Sequence, residues 1–312
     1  MTFDLRQLAA FVSIVDTGSL GRSADALHIT QPALSRTIKR LEDQIGAPLF
    51  ERHSKGMQLT DIGHALLPHA QMLLREAEHA AEEIAAVRGL AKGTIRVGAV
   101  GSIASFTLPL AIDAVLRRWP GLRVQVLEAA WDKLADALSR HEIDLALGVA
   151  VEDTADIRAI RDCRWEDQSV VVAAGDHPLR QLAAPTLADT MRHRWTTTPP
   201  GSGPYEQMQL AFRAQGLPMP EIAVETRSIT VIKSLIMHSG FLSWMPEPMF
   251  EYERDAGLFM AIPLPGGTDS RTLTVFRRSR GILPQPAARL LNELRRLTLI
   301  SVQPTRRARH FR

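Results

Sequence analysis

The sequence predicts a multidomain protein, in which an all-α N-terminal segment with a winged helix-turn-helix and a long linker helix precedes an α/β region. Three observations support this fold class. The first sixty residues show helical apolar spacing and then a hairpin pattern, whereas residues 61–91 keep one helical period. From Gly93 onward, strand-like apolar runs alternate with helical ones. With 312 residues, the chain is long enough for two or three domains.

A helix-turn-helix is predicted between Ser19 and Gln44. Ser19 can cap a first short helix, and the run 28–30 breaks it. Thr30 can then cap a second helix, where Pro32 is tolerated because its missing N–H would have no intrahelical partner in the first turn. The buried side of this second helix is predicted to consist of Ala33, Leu34, Ile38, Leu41 and Ile45, and Gly46 ends the helix.

The opposite side of the second helix carries groups that can contact DNA in a major groove: Gln31, Ser35, Arg36, Lys39 and Arg40. The amide of Gln31 can bond two edge atoms of adenine, and the guanidinium of Arg36 can bond O6 and N7 of guanine. Hydroxyl and basic groups such as those of Ser35, Lys39 and Arg40 suit phosphates, where they position the protein without reading sequence. Simple solvation is the alternative for Arg40.

A β-hairpin is predicted after Pro48, with extended residues on both sides of a polar turn at 53–56. In a winged helix-turn-helix, such a hairpin is the wing that lies beside the DNA backbone. We therefore expect Arg52, His53 and Lys55 to face phosphates. The alternative is a solvated surface turn.

A long helix is predicted from Thr60, its cap, to about Leu90. Its apolar residues recur every seven positions in two interleaved series, which are Leu66, Leu73, Ala80 and Val87, and Ala70, Ala77, Ile84 and Ala91. Small residues in such a seam let two helices approach closely, so pairing between two chains is favoured. The alternative is a helix packed on its own domain. Pro68 lies in an early turn, where it can kink the helix.

The N-terminal sequence closely resembles that of the LysR-type transcriptional regulators. The resemblance is carried by LRQLAAF at 5–11, GSL at 18–20, ADAL at 24–27, TQPALS at 30–35, LE at 41–42, LFER at 49–52 and LTDIG at 59–63. It implies DNA contacts by Gln31, Pro32, Ser35 and Arg36, with Arg52 as the wing arginine. It also implies a dimer through the linker helix, a homotetramer built as a dimer of dimers, and an effector-binding domain with two lobes and a periplasmic-binding-protein-like fold.

The resulting domain division is as follows. Residues 1–60 form the DNA-binding domain, 61–91 the linker helix, 92–301 the effector-binding domain, and 302–312 a basic disordered tail. Lobe I is expected to comprise 92–163 and 269–301, and lobe II 164–268. The strand-like runs and helices of both lobes predict a parallel sheet.

Candidate effector-binding residues are those on turns that would face one another between the lobes. Ser102 lies at the start of a predicted helix, where free N–H groups and the helix dipole attract anions, although it can also be a plain cap. Trp131 can stack on a sugar or aromatic ligand, or pack in a core. The other candidates are Ser202, in a Gly-rich loop, and Thr226 and Ser228, which open a helix. The second half looks similar to the subgroup that governs sugar and aromatic-acid catabolism, so a sugar or carboxylate is expected.

Composition excludes several classes. Cys163 is the single cysteine, so disulfides within the chain and Cys-based zinc sites are excluded. No signal-peptide pattern or membrane-spanning apolar run is present, which predicts a cytoplasmic protein without a membrane partner. We expect no cofactor and no metal. The expected partners are promoter DNA, a small effector, further copies of this chain and RNA polymerase.

Two other functions were weighed. An enzyme is disfavoured because no complete GxGxxG, HExxH or GxSxG pattern is present, and Cys163 has no evident base beside it. A solute-binding protein would be consistent with the two lobes, but the missing export-signal pattern and the predicted helix-turn-helix argue against it. The sequence therefore predicts a ligand-responsive transcription regulator that binds a promoter site with dyad symmetry.

Overall fold

The computed structural model of the chain describes residues 3–53, 56–87, 93–262 and 270–301. These residues form two compact units. The first is the chain up to Gly93 together with 139–142, and the second is the remainder.

The first unit begins with the helices α1 (Leu5–Thr17), α2 (Leu20–Ala26) and α3 (Gln31–Ile45). Their apolar sides meet in one core, which includes Leu8, Phe11, Ile14, Leu34, Ile38 and Leu41. The predicted buried side of α3 is confirmed for Leu34, Ile38 and Leu41, whereas Ala33 and Ile45 are only half-buried. Because the core fixes one side of α3, it also fixes which side faces solvent.

A hairpin and a long helix complete this unit. Strands β1 (Phe50–His53) and β2 (Gly56–Leu59) pair antiparallel, as predicted for the wing. Helix α4 (Asp61–Val87) follows, and the Thr60 hydroxyl caps it by accepting a hydrogen bond from the N–H of Gly63 at 3.1 Å. The end of the predicted linker helix, including Ala91, lies outside the described residues.

Helix α4 contributes to the core of its own head through its first half. Leu66, Leu67, Ala70 and Leu74 contact the core of the head. In contrast, Leu73 and Ile84 of the predicted seam are 38% and 62% exposed. Packing on the same domain therefore explains part of the heptad pattern, and the outer part of the seam stays uncovered in a single chain.

The second unit begins with β3 (Gly93–Ala99), α5 (Gly101–Ser105), α6 (Thr107–Arg118), β4 (Leu122–Glu128), α7 (Trp131–Ser139) and β5 (Leu145–Val149). The single helix predicted after the first strand is thus two helices. The break falls at Phe106, whose φ of −137° and ψ of −64° are not helical.

The next strand, β6 (Ile157–Ala174), is 18 residues long, although only 170–173 were predicted to be extended. Its first half alternates buried apolar residues with exposed charged ones, and Cys163 and Trp165 point inward between Asp162, Arg164 and Glu166. That alternation is typical of a strand with one solvated side.

After β6 come a short 3₁₀ helix (Pro178–Gln181), α8 (Leu187–Thr190), β7 (Trp195–Thr197), α9 (Gly203–Ala214), β8 (Ile222–Glu225), α10 (Ile229–Ser239) and β9 (Ser243–Pro246). A second 3₁₀ helix (Glu247–Met249), α11 (Glu251–Asp255) and β10 (Phe259–Ile262) follow. The chain then returns through β11 (Ser270–Arg278) and α12 (Gln285–Ser301).

The described residues of the second unit form a sheet of seven strands in the order β10-β6-β11-β5-β3-β4, with β9 also paired to β6, and a separate β7-β8 pair. The predicted parallel sheet is confirmed only in part, because the sheet is mixed. Strands β3 and β5 are parallel, and so are β7 and β8, but β11 runs antiparallel to both β5 and β6. The described antiparallel pairs of this unit all involve β6 or β11, since β9 and β10 also run antiparallel to β6.

Strand β6 connects the two lobes of this unit. It pairs with β11 as far as Gln168 and with β9 from Ser169 onward. The first lobe contains β3 to β5 and α12, and the second contains β7 to β10.

Among the described residues, no helix has both the length and the apolar character that a bilayer-spanning segment requires. The predicted basic tail, 302–312, lies outside the described residues.

Candidate functional site

Helix α3 is fixed at both ends by residues that the sequence had indicated. The Thr30 hydroxyl accepts a hydrogen bond from the N–H of Ala33 at 3.4 Å, and Pro32 lies in the first turn. Gly46 ends the helix with a φ of +83°. In the preceding turn, His28 has a φ of +54°, a left-handed conformation that histidine adopts more readily than most residues.

The predicted DNA-contacting residues of α3 share one side of the helix. Gln31, Pro32, Arg36, Lys39 and Arg40 are exposed, and Ser35 is half-buried. With 3.6 residues per turn, Arg36 lies roughly opposite the stripe formed by Leu34, Ile38 and Leu41. The structure therefore presents amide, hydroxyl and guanidinium groups together on a solvated surface.

The basic residues on this surface are not equivalent. The Lys39 ammonium lies 2.9 Å from the Asp43 carboxylate, in an exposed pair one turn apart. The hydrogen bond that Lys39 donates to Asp43, together with the negative charge of Asp43, raises the pKa of Lys39. Among the described residues, no acid forms an ion pair with Arg36 or Arg40. These two guanidinium groups are thus available to an anionic partner.

The wing is attached to the helical head by its backbone. The N–H of Met57 donates to the carbonyl of Gly18 at 3.2 Å, and a Cβ at Gly56 would lie 2.7 Å from that same oxygen. Glycine is therefore needed at position 56 both for this close approach and for its φ of +118°. Arg52 and His53 are in β1, whereas Lys55 lies outside the described residues.

Three partly buried polar contacts that support this surface were missed by sequence reasoning. The carboxylate of Glu42 accepts a hydrogen bond from the N–H of Leu49 at 2.8 Å, which ties α3 to the start of the wing. The hydroxyl of Ser23 lies 2.6 Å from that of Thr17 and donates to the carbonyl of Ser13. Ser19 occupies the N-cap position of α2 but makes no side-chain capping bond.

In the first lobe, the candidate residues Ser102 and Trp131 follow the C-terminal ends of β3 and β4. Ser102 is the second residue of α5 and is only 3% exposed. It thus lies at the helix N-terminus, as predicted, but it is not the cap, because Val100 is the N-cap. The indole of Trp131 packs on Gly148 and on Phe276, whose ring centroid is 4.3 Å away.

In the second lobe, Ser202, Thr226 and Ser228 follow β7 and β8. Ser202 is the N-cap of α9, and its hydroxyl lies 2.6 Å from that of Thr198. The N–H of Thr226 donates to the carbonyl of Thr197 at 3.0 Å, and Ser228 caps α10. Because β7 and β8 are parallel, these turns share one edge of the lobe, which is where ligands bind in open α/β sheets.

A residue that the sequence did not single out as a ligand-binding candidate links the two lobes. Arg271 of β11 donates to the carboxylate of Asp167 at 2.6 Å, and the same Nη2 atom lies 3.4 Å from the hydroxyl of Ser102. A Cβ at Gly203, next to Ser202, would lie 3.0 Å from Nη1 of Arg271. Ser102 and the start of α9 are thus brought together around one guanidinium.

The remaining candidates are not among the residues that contact this guanidinium. Its described hydrogen bonds go to Asp167 and Ser102 only, and not to Trp131, Thr226 or Ser228. In the described part of the chain, no group of three or more His, Cys, Asp or Glu side chains could hold a metal ion. The effector-binding roles of these residues stay predictions.

Family comparisons cover nearly the whole chain. Residues 5–64 match the family described as "Bacterial regulatory helix-turn-helix protein, lysR family". Residues 88–298 match the family described as "LysR substrate binding domain". The two matches correspond to the helical head with its wing and to the two-lobed α/β region.

Curated relatives are similar along most of their length. The chain is 30% identical to the HTH-type transcriptional regulator GalR of Pseudomonas putida, over 92% of this chain and 72% of the relative. It is also 30% identical to the HTH-type transcriptional regulator CbbR of Xanthobacter flavus, over 90% of this chain and 84% of the relative. YdcI of Escherichia coli, an uncharacterized regulator of this type, is 26% identical over 94% and 95% of the two chains.

Solved structures show the same fold. Full-length CbnR in complex with its target DNA superposes with a TM-score of 0.68 at 23% identity, over 94% of this chain and 99% of that chain. Full-length OxyR from Pseudomonas aeruginosa gives a TM-score of 0.66 at 22% identity, over 95% of each chain. The chain belongs to the LysR family and is a DNA-binding transcription regulator with a helix-turn-helix head and a two-lobed effector-binding domain, not an enzyme.

Proposed function

We propose that the solvent-facing side of α3 reads an operator in the DNA major groove. Gln31 and Arg36 contact base edges, since an amide and a guanidinium can each form two bonds to one purine. Ser35, Lys39 and Arg40 bind phosphates, with Pro32 beside the backbone. Arg52, His53 and Lys55 of the wing contact the neighbouring phosphates. The exposure of the α3 side chains supports these roles, and so does the absence of a described ion pair at Arg36.

The second part of the proposal is a dimer through the linker helix, 61–91. In a single chain, Leu73 and Ile84 are exposed beside a groove between α1 and α4 that is lined mainly by small apolar residues. A second linker helix would cover them. Two heads related by a two-fold axis would then read an operator with matching dyad symmetry. The tetramer, as a dimer of dimers, follows from the family resemblance.

The third part is a small-molecule effector that binds between lobe I (92–163 and 269–301) and lobe II (164–268). Ser102 and Ser202 belong to the two sides of this cleft, and Trp131, Thr226 and Ser228 follow neighbouring strands at the same edges. Support comes from the parallel pairs β3-β5 and β7-β8. Ser102 follows the C-terminal end of β3, and the three candidates of lobe II follow those of β7 and β8. The effector is a sugar or a carboxylate, in line with the resemblance to regulators of sugar and aromatic-acid catabolism.

The effector controls transcription by favouring one arrangement of the assembled heads. A ligand shifts such an equilibrium only if it binds one state more tightly than the other. The regulator acts in the cytoplasm, where its promoter and RNA polymerase are present, and contact with RNA polymerase completes the response.

One observation carries the proposal, namely the capped helix α3 that presents Gln31 and Arg36 to solvent from a buried three-helix core. A thermal-shift screen of sugars and aromatic acids with the full-length chain, followed by footprinting with the hit, tests it. We expect a protected region with two symmetric half-sites, whose pattern changes when the hit is added. An unprotected promoter, with or without the hit, would contradict the proposal.

A further inference from the structure

Arg271 occupies a position where both lobes meet. It lies on β11 directly opposite Asp167 of β6. One residue after Asp167, β6 ends its pairing with β11 and continues with β9 of the second lobe. A group at this point can therefore contact a ligand held by both lobes.

The guanidinium of Arg271 is held rigidly. Nε and Nη2 both donate to the same oxygen of Asp167, Oδ2, at 3.0 and 2.6 Å. Nη2 is also 3.4 Å from the hydroxyl of Ser102. The side chains of Arg271 and Asp167 are only 13% and 1% exposed. A fixed donor costs less entropy to use in binding than a mobile surface arginine does.

Among the described residues, none accepts a hydrogen bond from Nη1, although guanidinium carries two N–H donors on that atom. Nη1 lies beside Gly203, where a Cβ would come within 3.0 Å. Nη1 therefore packs closely against the backbone at the first residue of α9, and a side chain at position 203 would crowd it.

The N-terminus of α9 also favours an anion at this place. This helix of 12 residues has no side-chain cap, because the hydroxyl of Ser202 donates to the carbonyl of Pro199 instead. A cation beside the positive end of a helix is unfavourable unless an anion lies between them. The guanidinium of Arg271 supplies the hydrogen-bond donors for an anion, and the N-terminus of α9 adds to the attraction.

The charge around this space limits how much negative charge a ligand can bring. Asp167 already balances Arg271, and the exposed carboxylates of Glu128 and Glu206 lie near Gly101 and in the first turn of α9. A group with one negative charge and two acceptor oxygens matches the free guanidinium end better than a dianion does.

We propose that the effector is a carboxylic acid, and that Nη1 of Arg271 binds its carboxylate beside Gly203. This inference rests on the proposed effector cleft. It restricts the class of effector from a sugar or carboxylate to an organic acid. Arg271 is then the residue that distinguishes acids from their neutral counterparts, and Asp167 and Ser102 are positioning residues.

Calorimetric titration of the full-length chain with matched probes at constant ionic strength tests this. The probes are gluconate against glucose, benzoate against benzamide, and inorganic phosphate. We expect at least one acid to bind more tightly than its neutral partner and than phosphate. The Gly203→Ala variant, whose added methyl group would crowd Nη1 at 3.0 Å, should weaken acid binding by about tenfold and leave binding of the neutral compound unchanged.

Arg271→Gln alone leaves a buried carboxylate unpaired and can destabilise the lobes. The double variant Arg271→Gln with Asp167→Asn removes both charges, and it should also lose about tenfold in acid affinity. Arg123→Gln, at an exposed position of lobe I, is the matched control and should bind like the parent.

Equal binding of acid and neutral compound by the parent chain, or unchanged acid binding by both the double variant and Gly203→Ala, would overturn the inference. Failure of every probe to bind while the promoter is still protected would overturn it as well, and the DNA-reading part of the proposed function would remain. Loss of promoter preference would instead contradict the proposed function itself.

Discussion

Replacing Arg36 tests whether α3 reads bases. The side chain is exposed and points away from the core of the head, so Arg36→Ala removes no described hydrogen bond or ion pair. We therefore expect the free energy of unfolding to change by less than about 0.5 kcal/mol. A guanidinium that bonds O6 and N7 of one guanine contributes roughly 1–3 kcal/mol of discrimination. The loss on the operator is then about 5- to 150-fold in affinity.

Fluorescence anisotropy with the footprinted operator and with a random duplex of equal length measures this effect. The affinity for the operator should fall much more than that for the random duplex, and the preference at one base pair should relax. Arg36→Lys keeps the charge but cannot form the paired bonds, so it should lose operator affinity and keep affinity for random DNA.

Arg40→Ala is the comparison for a phosphate contact. It should weaken both duplexes alike and reduce the dependence of binding on salt by about one unit of slope. If Arg36→Ala lowered binding to operator and random DNA by the same factor, then Arg36 would be a phosphate contact and the base-reading role would be refuted.

Three further predictions concern assembly and stability. Ile84→Lys places a charge on the exposed part of the linker seam and should weaken the dimer in sedimentation experiments, whereas His64→Lys, on the side of the helix roughly opposite the seam, should not. A dimer that Ile84→Lys leaves unaffected would exclude this seam as the dimer interface. Burial raises the pKa of Cys163 to about 11, so a thiol reagent should label the native chain at neutral pH far more slowly than the unfolded chain, and rapid native labelling would contradict the packing around it. Burial, and secondarily His193, lowers the pKa of His177 in the folded chain, so the stability that neutral His177 contributes is complete above pH 6.5 and is lost as pH falls through the folded pKa. On acidification, Tm should therefore fall less in His177→Gln than in the parent chain, and an equal fall would show that His177 does not cause the acid destabilisation.

The DNA-binding head could be predicted from sequence in detail because its signals are local. Thr30, Pro32 and Gly46 act within one turn of the helix ends that they define, and Leu34, Ile38 and Leu41 repeat at the helical period. Each interpretation depended on residues no more than a few positions apart.

The inter-lobe contacts could not be predicted in this way. Arg271 and Asp167 are 104 residues apart in the chain and meet only because β6 and β11 pair in one register. The first half of β6 was missed because its exposed charges dilute the apolar signal, and its bulge opposite Thr274 and Val275 disturbs the alternation. Because the first half of β6 was not predicted, its antiparallel pairing with β11 could not be predicted either.

Trp131 shows the limit of assigning function to a residue type. An aromatic side chain after a strand fits a stacking role, but its ring lies over Gly148, where a Cβ would come within 2.6 Å of the indole. The glycine seventeen positions away therefore explains much of why a large ring fits there. Sequence reasoning weighed packing as the alternative, and the contact with Phe276 gives that alternative a physical basis.

The most direct test of the account is the ratio of affinities for the chain's own promoter fragment and for a scrambled duplex of the same composition, measured at moderate salt with the full-length protein. Specific protein–DNA complexes are typically at least about a thousandfold tighter than nonspecific ones. We predict a large ratio that falls in Arg36→Ala and changes when the effector is added. A ratio near one, in the presence and absence of candidate effectors, would contradict the claim that α3 reads an operator under the control of the lobes.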